Sequence, residues 1–360
     1  GTISAMETFV DNISSFINDN GTARAETNYT FTPTSATQAA ADLNTFNSSA
    51  TNISLTNVTT ISSSSLSALD TLATAINAGQ FTNAAGLLTI AVSDSTIDAT
   101  TLASRIDTYD AINAGATTNM TLASGATINV DADEVDHMLA DETAGRVTIS
   151  DQVITVTNAI TVDQANLLGA TTTGKLTATI ATTETVTELA TLSADGGTND
   201  LTIVIRAADA TAATATQLNT INAATAVAVD ASNVTGLASD SISNISTLLT
   251  AGNDTNQFTA NSFSSLATVV VNDTTLTGGD LAGAIDQANT ATGNTSTVFT
   301  ITAADTITGT EANFTALITD EGNNQISITD QALTVNGGGT ATVDTINNLT
   351  ATTSGKVTAT

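Results

Sequence analysis

The stretch Ile160–Thr179, ITVDQANLLGATTTGKLTAT, returns as Ala341–Thr360, ATVDTINNLTATTSGKVTAT. The offset is 181 residues (341 − 160), and no gap is needed. The chain's two lysines, Lys175 and Lys356, fall on each other. Moving outward, Ile149-Ser150-Asp151-Gln152 matches Ile328-Thr329-Asp330-Gln331 at an offset of 179 (328 − 149). Asp94, Leu102, Ile106 and Asp107 match Asp273, Leu281, Ile285 and Asp286 at the same offset. Gln80-Phe81-Thr82 matches Gln257-Phe258-Thr259 at 177 (257 − 80), and Asn57-Val58-Thr59 matches Asn233-Val234-Thr235 at 176 (233 − 57). Asp19 and Gly21 align with Asp195 and Gly197 in the same way. Slow drift of this kind means one- and two-residue insertions in loops. We therefore read residues 1–179 and 180–360 as two tandem copies of one unit of about 180 residues.

A shorter period lies inside each copy. Runs rich in Val, Ile and Thr recur, as at Tyr29–Phe31, Leu88–Val92, Val153–Val156, Leu176–Ile180, Leu201–Ile205, Val227–Val229, Val269–Val271, Val298–Ile301 and Ile326–Ile328. Such residues suit strands, and many of the runs are spaced by roughly 22–30 residues. Between them sit stretches with helical spacing, such as Leu66, Leu69, Leu72 and Ile76, or Ile242, Ile245, Leu248 and Leu249. Many end in Gly with Asn or Asp, the residues that close a helix. One coil then reads as strand, turn, one to three helical turns, and a Gly/Asn turn. The expected fold is a β-rich solenoid, parallel β-sheet coils with short helices, each coil buried by its neighbours. Gly337-Gly338-Gly339 reads as a loop insertion, since the first copy has Asn158-Ala159 there.

Charge narrows the function. Six Lys and Arg stand against 35 Asp and Glu, a formal net charge of −29. A nucleic-acid phosphate backbone needs a basic footprint that this chain lacks, and an anionic membrane surface would repel it. Hydrophobic residues are 41% and charged residues only 11%, too apolar a balance for general disorder. No cysteine is present, which excludes disulfides, thiolate metal sites and cysteine nucleophiles. No apolar run reaches the length of a membrane span. The chain starts at Gly1 without a methionine and stops within a repeat. We therefore expect a processed product or a section of a longer chain.

Little chemistry is legible. His137 is the only histidine, and its second-copy counterpart is Thr315 or Ala316, so it reads as a helix-surface residue. Paired carboxylates occur at Asp133-Glu134-Asp136 and Asp141-Glu142. A polysaccharide lyase or hydrolase would also need basic residues or an aromatic platform, and the chain has no Trp and two Tyr. No catalytic residue is nominated, and an enzyme is not expected. Calcium is the expected ligand, because Asp- and Asn-rich turns offer hard oxygens. Asp19, Asp195, Asp200, Asp254 and Asp320 are the candidate metal ligands, with Asn199, Asn253, Glu321 and Asn323 beside them. Simple turn chemistry accounts for the same residues and is the favoured reading of them.

Blocks such as LLGATTTGKLTAT (Leu167–Thr179), QLNTINAATAVAV (Gln217–Val229), TITGTEANFTALI (Thr306–Ile318) and ITDQALTV (Ile328–Val335) resemble the repeats of giant secreted proteins of the bacterial cell surface, of the marine cyanobacterial type. The Asp-rich nonapeptide GGxGxDxUx of some of these proteins is absent. The resemblance implies an elongated structural role outside the cell. The expected function is a structural repeat segment of an extracellular filament, sheath or surface-layer fibre. It would assemble end to end, since neither end shows a cap, or form part of a giant chain. The alternative is a calcium-dependent adhesin that binds glycans or neighbouring cells. Expected partners are further copies of the chain and cell-surface glycans, with no nucleic acid and no membrane span.

Overall fold

Most helices of this protein begin where a Ser, Thr or Asp side chain turns back onto the backbone N–H three residues on. Ser65 accepts from Ala68 N, Asp98 from Thr101 N, and Ser241 from Asn244 N. Thr185 and Thr214 form capping boxes with Glu188 and Gln217. Each closure satisfies one of the N–H groups that a helix leaves unpaired at its start.

The computed structural model describes residues 1–15, 23–25, 27, 29–193, 198–293, 296–302, 306–336 and 341–359. Asp19, Asp195 and the Gly337–Gly339 run lie outside them. The chain forms two compact units. Unit 1 is Gly1–Asn158 with Leu167–Thr177, and unit 2 is Ala159–Asn166 with Ala178–Thr360.

Unit 1 carries α1 (Ile3–Asn12), α2 (Ala40–Ser49), α3 (Leu66–Asn77), α4 (Ala99–Ile112) and α5 (Val135–Thr143), each packed on the next. Residues of α6 (Val162–Thr171) belong to both units. Unit 2 carries α7 (Val186–Leu189), α8 (Ala215–Ala223), α9 (Ile242–Gly252), α10 (Gly278–Thr292), α11 (Glu311–Gly322) and α12 (Val343–Thr352), again packed in sequence order.

The strands pair in parallel. In unit 1 one sheet runs Thr37–Ala39, Thr60–Ser64, Thr89–Val92, Asn119–Thr121, Val147–Thr148. A second ladder joins Thr96–Asp98, Thr127–Val130 and the start of Val153–Ile160. Unit 2 has one sheet of Gly236–Asp240, Thr268–Val271 and Val298–Ile301. Its other sheet runs Thr275–Thr277, Thr306–Gly309, Ala332–Val335, Val357–Ala359. Partners in these ladders lie between 23 residues (Thr37 with Thr60) and 32 residues (Gly236 with Thr268) apart. Parallel pairing demands a crossover of about a dozen residues or more, and a helix supplies most of them. The core between helices and strands is Leu, Ile, Val and Ala, for example Leu69, Leu72, Ile90 and Ile128 in unit 1 and Ile245, Leu248, Val269 and Ile307 in unit 2. Among the described residues, no helix is long and apolar enough to cross a membrane.

The β-rich solenoid is therefore corrected to an α/β fold. Among the described residues, twelve helices alternate with several short parallel sheets, and no closed coil is formed. All but the four-residue α7 run nine to fifteen residues. The physical reason is Ala-rich helix sequence. In α10, GGDLAGAIDQANTAT, alanine favours the helix while its small size blurs the apolar stripe that periodicity detects. Conversely, Val227–Val229 and Ile326–Ile328 contribute only isolated bridges, at Val229 and Ile326.

Two hydrogen-bond devices join neighbouring strand–helix segments at several places. The first is a cap from the neighbouring repeat. In unit 1 the first N–H of α3, at Leu66, donates to the Asp94 carboxylate (2.7 Å), and the first N–H of α2, at Ala40, donates to Ser64 Oγ (2.9 Å). In unit 2, Ile242 N donates to Asp273 (2.7 Å), Val186 N to Asp209 (2.8 Å) and Thr216 N to Asp240 (2.6 Å). Burial raises the Asp209 and Asp240 carboxyls, but these donors, joined by Arg206 and Asn244, outweigh it and hold both below the usual range.

The second device is a glutamine–threonine–glycine clasp. Gln152 Oε1 accepts from Ser150 N (2.7 Å), Thr172 Oγ1 donates to the Gln152 carbonyl (2.6 Å), and Gly174 N donates to Thr172 Oγ1 (2.9 Å). Unit 2 repeats it with Gln331, Thr329, Thr353 and Gly355 (3.0, 2.8 and 2.9 Å). The crossing is so close that a Cβ on Gly174 would lie 2.2 Å from the Gln152 oxygen, and one on Gly355 would lie 2.3 Å from that of Gln331.

Two outcomes follow for chemical unfolding. Gly174→Ala and Gly355→Ala each destabilise by about 3 kcal/mol, the upper part of the overpacking range. Gly283→Ala, in α10 with nothing within 4 Å of the added carbon, is expected to stabilise by about 0.5–1 kcal/mol. Separately, Asp94→Ala costs about 1 kcal/mol, and Asp94→Asn recovers most of it because the amide oxygen still accepts from Leu66 N.

Candidate functional site

Among the described residues, the densest charged cluster lies between α4 and α5 in unit 1. After α5 the chain turns through Gly145 (φ 71°), and Arg146 N donates back to the Asp141 carbonyl (2.9 Å). This turn points the Arg146 guanidinium at three carboxylates. Nε reaches Asp110 at 2.8 Å, Nη1 reaches Asp141 at 2.8 Å, and Nη2 pairs with Asp107. Asp110 also accepts from Thr118 N (2.8 Å), which fixes its carboxylate. Burial disfavours the Arg146 cation, yet the carboxylates outweigh burial and leave it more basic than usual. At Asp141, 3% exposed, burial prevails over Arg146 and pushes the carboxyl above its ordinary value.

His137 stands one α5 turn before Asp141, with side-chain nitrogens 3.6 Å from Glu134 and 3.9 Å from Asp141. It is about half exposed, on an open groove lined by Thr100, Ser104, Asp107, Thr108 and Glu134. The enclosed pocket beside it, against Leu102, Ile106, Met138 and Val147, offers about 10 Å³, room for no more than one water.

The calcium candidates are not drawn together. Among the described residues, no group of three or more His, Cys, Asp or Glu side chains is arranged to hold a metal ion. Asp200 opens the strand Asp200–Thr202 and is half-buried. Asp254, after α9, accepts from Asn256 N and Nδ2 (2.9 Å each) and from Gln257 Nε2 (3.2 Å). Those donors hold its carboxyl below the usual range, which is the turn chemistry that competes with a metal role. Asp320 is different. It sits in the last turn of α11, 9% exposed, and burial together with the Asp286 charge pushes its carboxyl up to about 6.

Asp320 is the second-copy counterpart of Asp141 at the offset of 179 (320 − 141). At the same offset Asp107 becomes Asp286, Asp110 becomes Asn289, Arg146 becomes Gln325 and His137 becomes Ala316. The backbone is shared: Gln325 N donates to the Asp320 carbonyl at 2.9 Å, and Asn324 (φ 60°) stands for Gly145. The guanidinium is gone. In its place the Gln325 and Asn289 amides pair with each other. Sequence reading noticed Asp141-Glu142 but missed Arg146 and its partners. The concerted change of Arg146 and Asp110 to neutral amides, with both other aspartates kept, was the available signal.

Comparison with protein-family models, with curated proteins and with solved structures finds no match. The β-solenoid falls with the fold, and nothing in the fold or in these comparisons supports an extracellular or filament reading.

Asp320 sets a pH dependence. Its folded value of about 6 lies above the ordinary carboxylate value of 3.8. The folded state therefore holds the extra proton, and the associated stability is complete below 3.8 and lost as pH rises through about 6. Asp320→Asn is expected to raise stability by about 2 kcal/mol at neutral pH. That gain should disappear toward pH 4, as read from urea unfolding at a series of pH values.

Proposed function

We propose that this chain is a structural repeat module, a non-catalytic scaffold. The observation that supports this is what its two copies share. The cap of Leu66 by Asp94 returns as the cap of Ile242 by Asp273. The Gln152 clasp returns as the Gln331 clasp. Of the charged cluster, Asp107 and Asp141 return as Asp286 and Asp320, whereas His137 and the Arg146 cation do not. Duplication has thus kept the bonds that hold repeat to repeat. A scaffold depends on those bonds, whereas an active site would depend on the groups that were exchanged.

Load bearing tests the proposal. The chain is held by its two ends in a single-molecule force measurement. The expected trace shows two cooperative unfolding events, each releasing roughly 600 Å of chain at about 3.4 Å per residue. Gly174→Ala should lower the force of one event and Gly355→Ala that of the other, while His137→Ala leaves both unchanged. Gradual lengthening at low force, with no discrete event, would rule the scaffold out.

A further inference from the structure

Asparagine holds the fifth position of α2, α6, α8 and α12, as Asn44, Asn166, Asn219 and Asn347. Three of these side chains reach the backbone in or just after the next helix. Asn44 Nδ2 donates to the Ala68 carbonyl (2.9 Å), Asn219 Nδ2 to that of Asn244 (3.0 Å) and Asn166 Nδ2 to that of Thr191 (3.0 Å). Asn166 Oδ1 also accepts from Ser193 N (2.8 Å). Asn347 is the counterpart of Asn166 at an offset of 181 (347 − 166), yet it is exposed and its side-chain amide meets no partner among the described residues. The same contrast holds at the start of the two helices. Within unit 2, Val162 opens α6 and is 2% exposed, its N–H donates to the Glu184 carboxylate, and Ala181 N donates to the Ile160 carbonyl (2.8 Å). Residues 181–193 therefore cover this face. Val343 opens α12 at the same offset and is 74% exposed, and no acceptor meets its N–H among the described residues. Strand Val357–Ala359, packed against α12, is the edge of its sheet. An amide, a first helical N–H and an apolar side chain are thus satisfied at α6 and left open at α12.

We propose that this face of α12 docks a second molecule of this chain, whose α1 stands against Val343 and Asn347 as residues 181–193 stand against Val162 and Asn166. The contact at α6 names the occupant, because it shows a helix of the following repeat on the equivalent face. In this chain α1 holds the place of that helix: it packs on α2 as α7 packs on α8. Asn347 asks only for backbone donors and acceptors, which a helix end supplies. The contact joins different surfaces of the two molecules, a heterologous, head-to-tail arrangement. Charge opposes it, since two chains of −29 repel, so association requires salt to screen them. The inference names a partner for the repeat module proposed above and rests on that reading.

The test is sedimentation of the full chain in high salt, from micromolar to millimolar concentration. The expected result is a concentration-dependent shift from monomer to dimer and larger species. Val343→Asp should weaken association by about tenfold or more, because it places an unpaired charge in the contact. Asn347→Ala should weaken it by about fivefold, through loss of the amide's hydrogen bonds. Both positions are exposed, so both variants retain the fold. Hydrogen exchange of the associated sample should slow at residues 343–347 and in α1. A chain that stays monomeric throughout would overturn the proposal. So would association that neither variant weakens, or slowed exchange confined to other surfaces. If the chain is monomeric but still gives two unfolding events under force, this inference alone fails and the scaffold reading stands.

Discussion

Every helix in a parallel βαβ arrangement starts with N–H groups that its own turns cannot satisfy. The fold of this chain depends on how that deficit is met. The side chain just before a helix takes the third N–H, as Ser65 and Ser241 do. The first N–H of α3 and α9 is taken by Asp94 and Asp273, each supplied by the next repeat. Helix formation in one repeat is thereby coupled to correct placement of its neighbour. The same bonds help to explain a composition of 35 acids and six bases. A carboxylate at a helix N-terminus needs no basic partner, because the backbone donors and the helix dipole supply the positive end. Glu311 extends the pattern, accepting from Thr342 N (3.1 Å) and from the Thr342 and Thr345 hydroxyls, which hold it below the ordinary carboxylate range.

How legible this was depended on side-chain size. The duplication could be read directly, because blocks such as ATTTGKLTAT mark a clasp whose glycine cannot be replaced without collision. Parallel strand segments with roughly 22–30-residue spacing were visible from Val, Ile and Thr. The balance between helix and strand was not. α4, ATTLASRIDTYDAI, buries only Ala99, Leu102, Ile106 and Tyr109, and Thr and Ser fill its outer face. Such a helix has too few large apolar residues to announce a 3.6-residue period, and its threonines count toward strand. The caps escaped for another reason: Asp94 acts 28 residues from the N–H that it binds, a separation that local pattern reading does not examine.

The candidate site was hidden by its wide separation in sequence. Arg146 reaches Asp110 and Asp107, 36 and 39 residues earlier, and no short motif links them. Acid-rich turns drew the search instead. Asp254 shows why those turns misled: its carboxylate is already engaged by Asn256 and Gln257 within its own turn. A short acidic turn is often satisfied from within, whereas a buried acid on a helix must find its partner across a packing interface.

The two copies also show how one scaffold can tolerate different polar solutions at a fixed backbone. Arg146 with Asp110 and Gln325 with Asn289 both bridge adjacent helices, and each leaves the same turn hydrogen bond of 2.9 Å in place. An ion pair and an amide pair are close in net value, since desolvation offsets much of the Coulomb gain of the former. The exchange is therefore nearly neutral for the pair itself. It is not neutral for the third member, because Asp141 keeps a cation at 2.8 Å while Asp320 does not. Loss of a shared cation transfers its cost to whichever carboxylate is most buried. Here that is Asp320, whose carboxyl is pushed up to about 6 by burial and the Asp286 charge.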